Sequence, residues 1–141
     1  MSVQPTLGDL DVALLEATFN AVKPRGAELT AHFYEQLFAQ HPAVIPLFAN
    51  VKIEEQQGKL LSALALVVAN LRHPDVLVPA LQGLGKRHVD YGALAPHYDA
   101  VGGGLLGSLA HVAGPAWTPE AAKAWGDAYA VAAGVMIAAE G

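Results

Sequence analysis

The chain has 141 residues and a formal net charge of −5, and 53% of its residues are hydrophobic. This length and composition suit one domain with a good core and exclude a disordered acidic chain. The absence of cysteine excludes disulfides, thiol catalysis and iron–sulfur clusters. Lysine and arginine are few and scattered, which argues against a nucleic-acid or anionic-membrane partner.

The N-terminal segment Met1–Leu10 lacks the basic start and apolar core of a signal peptide. The most apolar run, Leu60–Ala69, is about half the length of a membrane span. We therefore expect one domain over residues 1–141 that is cytoplasmic and does not insert into a membrane.

Apolar residues recur at helical spacing in segments that proline, glycine and polar breakers separate. Between the second and third helices, the prolines of Ala43–Phe48 allow a turn or two of helix. Thr118-Pro119-Glu120 is a helix start, with a capping hydroxyl, a proline and an acid in order. We find no strand pairs and predict an all-α fold with about six long helices and one or two short ones. The long helices are predicted at about Val12–Val22, Ala27–Gln40, Glu54–Leu71, Leu77–His88, Pro96–Leu109 and Pro119–Glu140.

The fifth predicted helix is rich in glycine, which is intrinsically unfavourable there. Each glycine costs roughly 1 kcal/mol relative to alanine. A helix with four of them needs close packing to hold it. The four are Gly102, Gly103, Gly104 and Gly107.

Three predicted helices each carry one polar residue on an otherwise apolar stripe: Tyr34, Gln56 and His88. Burying a polar group without a partner costs about 1–3 kcal/mol. The pattern therefore indicates either ordinary hydrogen bonding within a core or a ligand that the three residues share.

The sequence around these residues resembles the globin domain of flavohaemoglobins and bacterial single-domain haemoglobins. Matches occur in the family's order and extend from about Val12 to Glu140. The resemblance implies a globin fold around a haem pocket. The matching segments are His32–Phe48, Gln56–Leu60, Leu84–Gly92 with His97–Gly102, and Ala124–Tyr129.

The resemblance also implies a role for individual residues. His88 matches the proximal histidine that binds haem iron. Tyr34 and Gln56 match the distal pair that faces a bound gas. The remaining positions are a phenylalanine stacked on the porphyrin, two apolar residues that contact the cofactor, and a tyrosine and glutamate behind the histidine: Phe48, Leu60, Leu84, Tyr98 and Glu140.

These residue types suit oxygen chemistry at non-covalent haem b, the cofactor that the resemblance implies. A phenol and an amide donate hydrogen bonds to a bound oxygen molecule that carries partial negative charge. A carboxylate behind the histidine would make the imidazole a stronger donor to iron and favour peroxidase-like chemistry.

Two of these assignments have alternatives within the sequence. Gln57 adjoins Gln56, but a helix turns about 100° per residue, so Gln57 should point elsewhere. Glu140 can instead be a solvated charge near the chain end. The other histidines receive no role: His32 should face away from the pocket, and His111 lacks a partner at suitable spacing.

The leading function is reversible binding of O2, and of NO and CO, for oxygen capture, transport or storage. The alternatives are NO dioxygenation, a haem-based gas sensor, and a helical binding module without haem. Because the sequence ends at Gly141, we expect that dioxygenation would need a separate reductase. Whether the chain is an enzyme, including by a peroxidase-like side activity, stays open. We expect a monomer or a weak homodimer.

Overall fold

The structure is a computed structural model that describes residues 7–90 and 95–140. It confirms the all-α prediction, with six α-helices joined by short 3-10 turns and no strand among the described residues. The 3-10 segment Pro42–Phe48 is the predicted short corner between the second and third helices. The helices are α1 (Val12–Val22), α2 (Gly26–Gln40), α3 (Ile53–Ala69), α4 (Pro74–Asp90), α5 (Ala95–Ala113) and α6 (Pro119–Glu140).

The start of α6 is the one that the sequence predicts. Pro119 is its first residue, and the hydroxyl of Thr118 accepts the backbone N–H of Ala121 at 3.1 Å. A side-chain oxygen at this position satisfies one of the four N–H groups that a helix leaves without a partner. Asp11 caps α1 in the same way by accepting the N–H of Leu14 at 3.2 Å.

The predicted start of α4 at Leu77 is wrong, because the helix begins three residues earlier at Pro74. Proline is tolerated in the first turn, where its missing N–H would have no intrahelical partner. The carbonyl of His73 accepts the N–H of Leu77 at 2.9 Å, which closes that turn. Here the proline starts a helix, whereas the sequence reading took it only as a breaker.

The core forms where α4 packs on α6 and α2 packs on α5. At the first of these contacts the two main chains come very close. A Cβ added at Gly85 of α4 would lie 2.3 Å from the carbonyl oxygen of Met136 in α6. Only glycine permits this approach. The largest fully buried side chains are Leu15, Val22, Leu29, Thr30, Leu77, Leu81, Ser108 and Leu109.

None of the helices described combines the length with the apolar character that crossing a bilayer requires.

Candidate functional site

Helices α3 and α4 follow each other in the chain, yet they pack mainly on other helices and make little contact with each other. In α3, the side chains of Leu60, Leu64 and Val67 are only half-buried. In α4, Leu84 and His88 are half-buried as well. Because apolar helix faces are normally covered in a folded domain, we treat the space between these two half-buried faces as the candidate crevice for a flat apolar ligand.

On the α3 side of the crevice, α2 contributes Tyr34, which is 7% exposed. Its ring lies among other aromatic rings. The Tyr34 and Phe48 ring centroids are 5.7 Å apart and nearly perpendicular, and Phe38 lies 5.3 Å from Phe48. Edge-to-face packing of this kind fixes the orientation of both rings. The structure thus brings the predicted distal tyrosine and the predicted porphyrin-stacking phenylalanine into direct contact.

The Tyr34 hydroxyl donates to the backbone carbonyl of Gln56 in a long contact of 3.5 Å. Tyr34 and Gln56 are therefore neighbours, through the main chain of Gln56 and not its amide. Burial raises the pKa of the Tyr34 phenol to about 12. The hydroxyl consequently stays protonated and able to donate at neutral pH.

Gln57 occupies a different place from Gln56. It lines a groove at the other side of α3, together with Thr30 of α2 and Leu61 of α3. Gln57 therefore lines a groove formed by residues of α2 and α3. Leu60, the predicted apolar distal residue, packs against the core while half-buried.

On the α4 side, the His88 imidazole is held by its own helix. Its Nδ1 lies 2.7 Å from the carbonyl oxygen of Leu84, one turn earlier. Since a carbonyl only accepts, Nδ1 must carry the hydrogen, and this fixes the tautomer whose lone pair is on Nε2. That is the tautomer in which a histidine binds a metal, oriented by its second nitrogen.

Tyr98 of α5, which the resemblance places on the proximal side, lies beside this imidazole. The two ring centroids are 6.1 Å apart and tilted by 32°. Tyr98 is 6% exposed, and its backbone carbonyl accepts the hydroxyl of Tyr129 from α6 at 2.5 Å. The side chain of Glu140, the predicted carboxylate partner, lies outside the residues whose placement the structure describes.

Sequence reasoning missed three contacts between helices. His32 Nδ1 lies 2.8 Å from the buried Ser108 hydroxyl, and the His32 ring stacks on His111 at 4.3 Å. His111 has no partner at suitable spacing along the chain, but it contacts His32 on another helix. The third missed contact is the hydrogen bond from Tyr129 to Tyr98. No periodicity within one helix signals any of these contacts.

A separate groove of about 590 Å³ lies between the short corner and α5. It is lined by Gln40–Val44 and by residues of α5 including His97 and Asp99. None of the predicted site residues lines it.

The residues of the crevice fit a haem. The half-buried apolar walls of α3 and α4 suit a flat apolar macrocycle, and Phe48 stands beside them. The His88 tautomer suits axial ligation of iron. Tyr34 supplies a buried hydrogen-bond donor near the other wall.

Comparisons with known proteins agree with this geometry. The globin family model matches residues 31–136. The flavohemoprotein of Bacillus cereus is 32% identical over 136 residues, which cover 95% of this chain and 33% of that protein. The flavohemoprotein of Deinococcus radiodurans is 35% identical over 130 residues, which cover 91% of this chain and 32% of that protein. The chain thus spans about a third of the length of these curated relatives.

Two solved structures have the same fold. An engineered carbene transferase from Rhodothermus marinus, provisionally assigned as a nitric oxide dioxygenase, has a TM-score of 0.80 and 28% identity. The alignment covers 89% of this chain and 87% of that one. A bacterial globin from Campylobacter jejuni has a TM-score of 0.78 and 24% identity over 92% of this chain and 93% of that one. With the family model matching most of its length, the chain belongs to the globin family, which implies haem binding, and its sequence is similar to that of bacterial flavohemoproteins.

Proposed function

We propose that this protein binds O2 reversibly, and also NO and CO, at a non-covalent haem b, and serves oxygen capture, transport or storage. Two side chains support the proposal. His88 on α4 is held in the metal-binding tautomer, and Tyr34 beside α3 is a buried, protonated phenol.

Bound haem would supply an iron that coordinates a diatomic gas and shifts electron density onto it. The Tyr34 hydroxyl then has a better acceptor than the Gln56 carbonyl, from which it is 3.5 Å away. A small rotation of this hydroxyl would direct its hydrogen to the ligand. Because the phenol is surrounded by Phe33, Phe38 and Phe48, the local dielectric constant is low and the bond is strong.

On the proximal side, the Nδ1 hydrogen of His88 goes to the carbonyl of Leu84. Nε2 is therefore the nitrogen that would bind the haem iron.

The direct test of the proposal is His88→Ala. We expect the variant to lose most haem uptake and to lack the absorption spectrum of a histidine-ligated haem. His73→Ala is the matched control, because His73 is exposed and lies just before the first residue of the same helix. If His88→Ala took up haem with an unaltered spectrum, the proposed function would be wrong.

Tyr34→Phe tests the distal half of the site. It removes a hydrogen bond to a charged acceptor, worth about 1.5–3 kcal/mol, while keeping the ring. We expect O2 to dissociate about 10- to 100-fold faster, with a smaller change in association. Flash photolysis and stopped-flow displacement by CO measure the two rates. An unchanged dissociation rate would show that Tyr34 does not contact the ligand.

A second candidate function is NO dioxygenation with a separate reductase. It is supported by the likeness to flavohemoproteins and to the Rhodothermus marinus protein. In this reaction NO and O2 combine with one electron to give nitrate, and the electron must come from a reductase. Mixing the oxygen-loaded protein with NO, with and without a flavin reductase and NADH, tests the proposal. Nitrate formation limited to one equivalent in both mixtures would leave only the binding function.

A further inference from the structure

We propose that His32 of α2 and His111 of α5 form a binding site for a divalent transition-metal ion such as Zn²⁺. One ring nitrogen of each histidine binds the ion between the two helices, and water completes its coordination. The site is separate from the one proposed for haem. Because a helix turns about 100° per residue, His32 points roughly opposite to Tyr34, two residues later on α2.

The two imidazoles are already neighbours. Their ring centroids lie 4.3 Å apart, and the ring planes differ by only 10°. Two imidazoles that bind one zinc ion at about 2.0–2.1 Å have ring centres roughly 4–5 Å apart. The packing of α2 on α5 therefore holds the two rings at the separation that a shared ion requires, so that neither helix has to move.

Binding requires one change within the stack. The lone pair of an imidazole nitrogen lies in the plane of the ring, so two parallel rings cannot bind one ion until one of them tilts. His111 has room to tilt, because its side chain is exposed. The ion thus replaces a stacking contact between the rings with two metal–nitrogen bonds.

His32 is oriented for this role by a partner on the opposite helix. Its Nδ1 lies 2.8 Å from the hydroxyl oxygen of Ser108, which is fully buried. A hydroxyl can accept the Nδ1 hydrogen, and in that tautomer the lone pair is on Nε2. Histidines that bind metals are commonly oriented in this way through their second nitrogen. Because Ser108 and His111 are three residues apart, they lie on the same face of α5.

The donor atoms determine which ions the site takes. Imidazole nitrogen suits Zn²⁺, Ni²⁺ and Cu²⁺, whereas Mg²⁺ prefers oxygen ligands. In the part of the chain that the structure describes, no group of three or more histidine, aspartate and glutamate side chains could hold an ion. Two histidines are therefore the protein ligands, and the affinity is lower than that of a site with four.

The charged groups beside the two histidines offset each other. The guanidinium of Arg25 donates to the backbone carbonyl of Val112, the residue after His111. The same guanidinium forms an ion pair with Glu28, which lies one turn before His32 on α2. A cation that approaches the two rings therefore meets a neutralised pair and not an isolated positive charge.

Calorimetric titration of the purified protein with ZnCl2 tests the site. Loss of a group that only orients a metal ligand costs about 10- to 100-fold in affinity, so loss of a ligand in His111→Ala should weaken zinc binding by at least about tenfold. His73→Ala is the matched control, because it removes another exposed imidazole, and it should bind zinc like the unmodified chain. Equal affinity of His111→Ala and the unmodified chain would refute the site.

The position of the ion between two helices predicts an effect on unfolding. An ion that binds the folded chain better than the unfolded chain stabilises the fold. Saturating zinc should therefore raise the urea midpoint of the unmodified chain and of His73→Ala, and leave that of His111→Ala unchanged. MgCl2 at the same concentration should have no effect. An equal rise with magnesium, or in His111→Ala, would show that the two rings do not share an ion.

His32→Ala should abolish the same rise in the urea midpoint. It also takes the partner from the buried Ser108 hydroxyl, which lowers stability in the absence of zinc. If that variant does not fold, His111→Ala still decides the question, because its side chain is exposed. None of these comparisons depends on whether His88 binds haem, since His88 is present in every variant.

Discussion

The close approach of α4 and α6 allows a quantitative prediction at Gly85. A Cβ added there lies 2.3 Å from the Met136 carbonyl oxygen and 2.8 Å from its Cα, whereas ordinary contacts lie at 3.4–4 Å. Gly85→Ala must therefore push the helices about 1 Å apart and weaken their van der Waals contacts. Overpacking of this kind costs about 1–3 kcal/mol. We expect the upper half of that range, because a main chain cannot rotate aside.

Gly83→Ala provides the control on the same helix. A Cβ at Gly83 meets only the end of the flexible Arg87 side chain, at 3.6 Å. Each alanine gains about 1 kcal/mol of helix propensity, which cancels when the two variants are compared. Urea unfolding followed by circular dichroism should therefore show Gly85→Ala to be less stable than Gly83→Ala by about 2–3 kcal/mol. Equal stability of the two variants would refute the reasoning.

Three further predictions concern single side chains. Burial raises the pKa of Tyr34 to about 12, so the folded state holds the phenol proton more tightly than the unfolded state does. The stability that this proton contributes is fully present below pH 10 and is lost as the pH rises to 12. Between pH 10 and 12 the apoprotein should lose about 2–3 kcal/mol of unfolding free energy that Tyr34→Phe does not lose. Urea unfolding of both proteins at each pH measures this difference. Among the described side chains, the Trp125 indole N–H is buried without an acceptor. Trp125→Phe should therefore change stability by only about 1 kcal/mol, since losing an unsatisfied donor offsets lost apolar area, and a loss of 3 kcal/mol in thermal unfolding would contradict this. Thr118→Ala removes the cap on the Ala121 N–H and should cost about 1 kcal/mol in urea unfolding, whereas Thr118→Ser should cost little.

Much of the fold could be predicted from local signals. The start of α6 follows from the cap at Thr118 and the proline after it, because both act within one turn. The corner Pro42–Phe48 follows from its prolines. The start of α4 was misjudged since Pro74 can either end one helix or begin the next, and the choice depends on packing that the local sequence does not contain.

The site was predictable to the extent that it depends on helical periodicity. Tyr34, Gln56 and His88 each interrupt an apolar stripe, and the structure places Tyr34 beside Gln56. Contacts between distant helices carry no such signal. The bond from Tyr129 to Tyr98 joins residues 31 positions apart, and its only trace in the sequence is a glycine-rich helix that needs support.

The candidate crevice between α3 and α4 affects how stable the cofactor-free protein is in a cell. The apolar faces of α3 and α4 are only half-buried, and apolar surface of this kind favours self-association until a ligand covers it. A cofactor that binds only the native form adds about 2.7 kcal/mol when its free concentration is a hundred times its dissociation constant. The steady-state level of the folded protein should therefore rise with the supply of haem. Newly synthesised chains should be most sensitive to proteolysis before haem binds.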